Sequence, residues 1–155
     1  MTIKRYALLL TMALALIAGF GCTKSGGDNT ETVITPEMQT AMDTITNQKI
    51  YFEYDRYDIR ADSQETLKVK ANALRSYPTI RVQIQGHCDE RGTQEYNLAL
   101  GERRARAAYE YLLRLGVSAN QMEMLSYGKE RPAVAGSGEA VWSQNRRDEF
   151  IIIGY

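Results

Sequence analysis

The stretch Gly86–Ala105, GHCDERGTQEYNLALGERRA, holds the residues of this chain best suited to chemistry. Asp89 stands at the exit of a strongly alternating segment, and Arg103 and Arg104 stand one turn or more into a long helical one. Opposite charges therefore surround one loop without being neighbours in sequence. A ligand that carries both an ammonium and a carboxylate suits this layout, and an amino acid end-group is the simplest example. Asn97, Leu100 and Arg104 are spaced i, i+3 and i+7, so they share one face of a helix. An arginine placed there can meet a carboxylate with two parallel N–H bonds. An internal Asp89–Arg104 salt bridge that merely pins the loop satisfies the same spacing equally well.

Other candidates carry less. His87 is the single histidine, and His87–Glu90 (HCDE) superficially resembles a metal or nucleophile cluster. Adjacent residues leaving a strand point to opposite sides and do not converge on one ion. Neither a second histidine nor a CxxC pair completes a metal site. A Cys–His dyad also needs hydrogen-bond reach that strand neighbours lack. No catalytic residue, metal or cofactor is therefore expected, and His87 is expected to be packed or bonded to a loop. Tyr54-Asp55-Arg56-Tyr57 interleaves aromatics with charge and, taken alone, is an ordinary turn with partly exposed tyrosines. Glu102 and Arg106 form a solvated i,i+4 pair. Arg146 and Arg147 are expected to pair with nearby carboxylates.

Several elements must position these groups. Thr35-Pro36 matches a helix N-cap followed by proline at the first helical position, and Met38, Ala41, Met42 and Ile45 continue at helical spacing. Ile50, Phe52 and Tyr54 alternate, predicting a first strand over Lys49–Tyr54. Asp62 and Glu65 suggest a capping box, with Leu67, Ala71 and Leu74 as a core stripe ending before Pro78. Ile80, Val82 and Ile84 alternate with Arg81, Gln83 and Gln85, a half-buried strand. A second long helix runs from about Gln94 to Leu115, with Gly116 in the usual stop position. Its stripe Leu98, Gly101, Ala105, Ala108 and Leu112 is expected to face the sheet, Gly101 allowing close approach. Met122–Tyr127 is a third strand, Gly128–Gly138 a loop, and Glu139–Asn145 a short helix. Phe150–Ile153 is a last strand, apolar on both faces and so central. The order β-α-β-α-β-(α)-β implies an α/β (α+β) two-layer sandwich, with helices on one face of a small mixed sheet.

Composition bounds the function. The chain has 155 residues with 19 basic against 19 acidic side chains, so no basic excess attracts nucleic acid. Lys4-Arg5 followed by the apolar run Tyr6–Phe20 has the form of a secretory signal peptide, too short to span a bilayer comfortably. Cys22 directly follows, in the manner of a bacterial lipobox, although Gly19 stands where leucine is usual. With Cys22 and Cys88 as the two cysteines, acylation of the first leaves the second an unpaired thiol. Residues 1–21 are assigned to the signal peptide, and 22–48 to an acylated start, a Thr/Ser/Gly/Asn-rich tether and the first helix. Residues 49–155 form the folded domain.

Five motifs resemble the C-terminal peptidoglycan-binding domain of outer membrane protein A, and more closely the Tol-associated lipoprotein branch of that family. They are Tyr51–Arg60 (YFEYDRYDIR), Gly86–Asn97 (GHCDERGTQEYN), Leu100–Ala105 (LGERRA), Ser126–Val134 (SYGKERPAV) and Asn145–Arg147 (NRR). The resemblance implies non-covalent binding of the diaminopimelate-containing stem peptide, with Asp89 meeting an ammonium and Arg104 a carboxylate. Tyr54, Asp55, Arg91, Asn97 and Leu100 complete the implied site. It implies too an outer-membrane lipoprotein facing the periplasm, active in envelope integrity and cell division. A soluble propeller protein of the Tol system is the implied partner. Thr23 is not the aspartate that retains such lipoproteins in the inner membrane. Cys88 replaces the small residue usual before the site aspartate. A stator-type relative would need a true transmembrane helix, and a wall hydrolase would need a nucleophile–base pair or metal ligands.

Overall fold

Proline opens the first helix, α1 (Pro36–Asn47), where the Thr35 side chain accepts from the Met38 amide. The computed structural model describes residues 33–155, so the signal peptide, Cys22 and nearly all of the tether lie outside the described residues. The described residues belong to one compact unit, Thr32–Tyr155. Helix α1, grouped with the tether on sequence, contributes Met38 and Ile45 to the hydrophobic core. Lys70 fixes its far end: the buried ammonium donates to the carbonyls of Ile45 and Thr44 and lies 4.5 Å over the Phe150 ring. Burial lowers the Lys70 pKa to about 7.

Strand β1 is Ile50–Tyr51, much shorter than the six residues expected. Beyond it Phe52 stays buried but bonds to Arg146 at both its N–H and its carbonyl, and Asp55 turns the chain with φ +54°. The segment leaves the sheet to pass over the end of α3. Helix α2 (Ala61–Ser76) starts after Arg60, and no capping box forms. Asp62 lies within the first turn and accepts from the Ser63 amide and from Arg60, while Glu65 pairs with Lys68. Leu67, Ala71 and Leu74 are buried as expected.

Strand β2 (Arg81–His87) leads to α3 (Gln94–Arg114), a 3-10 turn (Ala119–Gln121), β3 (Met122–Gly128), α4 (Glu139–Asn145) and β4 (Arg147–Gly154). The sheet order is β1-β4-β2-β3, with β2–β3 parallel and both β4 pairings antiparallel. This is the mixed sheet with helices on one face that the element order implied. Strand β4 is central, but it is not covered on both sides. Phe150 is buried, whereas Ile151 and Ile153 are 40% and 38% exposed on the face that no helix covers. An antiparallel central strand tolerates one wet face, which the run of isoleucines disguised.

Helix α3 sits on β2 at a contact no side chain could occupy. A Cβ on Gly86 would overlap the carbonyl oxygen of Gly101, and one on Gly101 would meet Ser126 Oγ. Ala105, Ala108 and Leu112 continue this face into the core. Leu98 does not, being 38% exposed, because the end of β3 meets its backbone: Ser126 Oγ donates to its carbonyl at 2.8 Å.

Candidate functional site

The glycine contact sets the helix phase, and with it Arg104, one turn beyond Gly101. Arg104 is fully buried. Its Nε donates to the Arg56 carbonyl (2.8 Å), one terminal nitrogen to the His87 carbonyl (2.8 Å) and Cys88 Sγ (3.5 Å), and the other to the Glu53 carbonyl (3.1 Å). Of five guanidinium N–H groups, four are engaged, and five minus four leaves one. The Arg104 guanidinium carbon also lies 5.0 Å from the Phe52 ring centroid. Desolvation lowers its pKa, though a guanidinium remains charged.

Asp89 follows β2 in the loop to α3. Of the two readings that the spacing left open, the internal Asp89–Arg104 salt bridge is not formed. Asp89 pairs instead with Arg91, whose Nε and terminal nitrogen donate at 3.0 and 2.6 Å and whose amide donates at 3.1 Å. Arg146 adds a fourth bond at 3.3 Å and also pairs with Glu139. Four accepted hydrogen bonds fill the capacity of a carboxylate. Burial raises the Asp89 pKa, but the bonds from Arg91 and Arg146 outweigh it and hold it below the ordinary carboxylate value. The pairing of Arg146 and of Arg147, which bonds Glu149 at 2.7 Å, is as expected from sequence.

Arg91 is sandwiched. Its guanidinium carbon lies 3.8 Å from the centroid of Tyr54 and 4.0 Å from that of Trp142. The Trp142 indole N–H donates to Glu90 at 2.9 Å, and Ser137 Oγ reaches the same carboxylate oxygen at 2.6 Å. The loop itself is pinned by Asn97, whose amide donates to the carbonyls of Arg91 (2.8 Å) and Thr93 (3.0 Å). Lys129 donates to the Gly92 carbonyl at 2.7 Å.

Asp89, Arg91, Asn97 and Arg104 open onto a cleft of about 200 Å³. All seven candidates (Tyr54, Asp55, Asp89, Arg91, Asn97, Leu100 and Arg104) line it. Cys88, Gly92 and Tyr96 line it too. Tyr96 bonds Asp55 through its hydroxyl, a partnership across 41 positions that no local pattern reveals. Arg103 lies on the exposed side, 5.9 Å from the Tyr57 and Tyr96 ring centroids. Cys88 is buried with its thiol against the Asn97 carbonyl, and desolvation pushes its pKa up to about 11. Beneath it Asp148 is fully buried with neither oxygen bonded, and desolvation raises its pKa well above the ordinary value. His87 is packed: its ring stacks on Tyr127 at 5.5 Å between centroids, neither ring nitrogen is bonded, and burial lowers its pKa to about 4. Among the described residues no three acidic, Cys or His side chains gather as metal ligands, and no helix is long and apolar enough to cross a membrane.

The chain that carries this cleft is similar to known proteins. Residues 51–146 match the OmpA family. The peptidoglycan-associated lipoprotein of Pseudomonas putida is 39% identical over 167 residues, covering 97% of this chain and 99% of the relative. The crystal structure of the peptidoglycan-associated lipoprotein from Burkholderia pseudomallei is 46% identical, covers 68% of this chain and 89% of that one, and superposes with a TM-score of 0.66. The chain belongs to the OmpA family, as its motifs implied. The C-terminal domain of Helicobacter pylori MotB shares the fold at 21% identity and a TM-score of 0.65, covering 70% of this chain and 85% of that one.

Proposed function

We propose that this chain is an envelope-tethering lipoprotein whose cleft binds the diaminopimelate stem peptide of peptidoglycan non-covalently. One observation carries the reading: seven residues drawn from three separated sequence motifs line a single cleft that holds both an acid and guanidinium groups. The names of the relatives, peptidoglycan-associated lipoproteins, support the same ligand. Asp89 receives the ligand ammonium. Because its four acceptor positions are filled, the ammonium takes the place of Arg91 side-chain bonds, exchanging one cation for another. The ligand carboxylate meets the one unengaged N–H of Arg104. Acylation at Cys22 anchors the protein in the outer membrane, facing the periplasm, and a periplasmic propeller protein of the Tol system competes for the domain during cell division.

Titration of the purified domain with diaminopimelate muropeptide tests the ligand. Saturable binding, lost in Asp89→Asn with the fold intact, is the expected result; no binding by the folded wild type rejects the reading. Mass spectrometry of the mature N-terminus tests the anchor, and an unmodified N-terminus would refute it.

A further inference from the structure

Arg91 holds two of its five N–H groups on Asp89, so three are free even before a ligand arrives. Two rings lie against its guanidinium carbon, Tyr54 at 3.8 Å and Trp142 at 4.0 Å from their centroids. Tyr54 is 57% exposed and has no hydrogen bond that fixes its ring. Trp142 is different. Its indole is tied to Glu90, and Glu90 is tied to Ser137, so the loop before α4 and the loop after β2 are locked together at this ring. The bonds from Ser137 and Trp142 lower the Glu90 pKa, as expected where donors meet the ionised carboxylate.

We propose that Trp142, fixed by Glu90, is a specificity-determining positioning residue of this cleft. With Tyr54 it keeps Arg91 stacked at the mouth while the guanidinium swings from Asp89 to the carboxylate that distinguishes diaminopimelate from lysine. The proposal rests on the stem-peptide reading above. Small changes in the Arg91 side-chain torsions can shift the guanidinium between two rings while its carbon stays within the roughly 6 Å reach of a cation–π contact, so the exchange keeps that attraction. Arg104 cannot take this part alone, since its remaining N–H allows no two-pronged grip. Ligand ammonium on Asp89 and ligand carboxylate on Arg91 then arise from one event: the first releases the group that binds the second.

The test compares affinities for two muropeptides, one with diaminopimelate and one with lysine at the same position, in wild type, Trp142→Ala, Trp142→Phe and Glu90→Gln. Wild type is expected to prefer diaminopimelate. Trp142→Ala should lower diaminopimelate affinity about tenfold, the scale of one charge-assisted contact, and leave lysine affinity nearly unchanged. Trp142→Phe, which keeps a ring over Arg91, should recover most of the preference, and Glu90→Gln should lose a smaller part of it. Trp142 is the single tryptophan, so its own emission reports whether each ligand perturbs the stack. An equal loss for both ligands, or no loss, overturns the role of Trp142 while leaving the stem-peptide reading standing. If Trp142→Ala does not fold, an unchanged preference in Glu90→Gln together with ligand-silent tryptophan emission in wild type overturns it as well. Failure of the wild type to bind either ligand rejects the stem-peptide reading itself.

Discussion

Two arginines flank the cleft, one in its floor and one at its rim, and they are held by opposite means. Arg104 in the floor is buried and bonded to the backbone carbonyls of Glu53, Arg56 and His87, which come from two distant segments. Arg91 at the rim is held by aromatic faces and by a carboxylate that another cation can take over. A floor built on carbonyls has no substitute partner and is rigid. A rim built on stacking and ion pairing can exchange partners at small cost. The same side-chain type therefore serves as a strut on backbone carbonyls in one place and as a stacked ion-pair partner in another.

Arg104→Leu tests that contrast most severely. The buried His87 carbonyl and the part-buried carbonyls of Glu53 and Arg56 would lose their donor, at about 1–3 kcal/mol for each group left unsatisfied. Denaturant unfolding should show a loss of about 3–5 kcal/mol, whereas Arg91→Ala should lose less, about 1–2 kcal/mol, because the nearly buried Asp89 keeps its bonds from the residue-91 amide and from Arg146. Equal losses would erase the distinction. Gly86→Ala should come next, at about 2–3 kcal/mol, because the added methyl collides with backbone rather than with a movable side chain. A neutral result there would show that α3 can lift off β2, and that the floor is softer than its hydrogen bonds suggest.

Asp148 sharpens the picture of the floor through pH. In the unfolded chain its carboxyl ionises near the ordinary aspartate value of 3.8, and in the folded chain burial holds the proton to higher pH. Its contribution to stability is thus fully present below that unfolded value and is lost as pH rises through the folded one. Asp148→Asn should flatten this descent relative to wild type in melting curves taken from acid to neutral pH; an identical profile would show that Asp148 is ionised in the fold. The smallest effect concerns Cys88. With a pKa pushed up to about 11 and a buried thiol, it should resist alkylation in the native protein and react promptly on unfolding. Cys88→Ala should alter muropeptide affinity by no more than about threefold, since a thiol is only a weak hydrogen-bonding group.

Local periodicity explains what could be read in advance. The i, i+3, i+7 face of α3 correctly grouped Asn97, Leu100 and Arg104, and strict alternation placed Ile80, Val82 and Ile84 in the core. What escaped depends on partners far along the chain. Arg146 reaches Asp89 across 57 positions and Trp142 reaches Glu90 across 52, and nothing in either neighbourhood marks the other. The shortness of β1 has the same origin, because Arg146 takes both backbone groups of Phe52 and so ends the ladder. The central strand misled for a different reason: Ile151 and Ile153 lie on an open face, where hydrophobicity carries no information about burial.

Helix α1 also has a mechanical consequence. Any pull on the chain before Thr35 enters the domain at the first turn of this helix, and Lys70 grips its opposite end. From Pro36 to Ile45, at about 1.5 Å of rise per residue, roughly 14 Å of helix separates load from clamp. Tension must peel Met38, then Ala41, then Ile45 from their seats before the ammonium is reached. Peeling in sequence needs less force than shearing all contacts at once, so α1 acts as a strain relief. It can yield and lengthen before the load reaches β1, and the contact between Gly86 and Gly101 lies in other elements, β2 and α3.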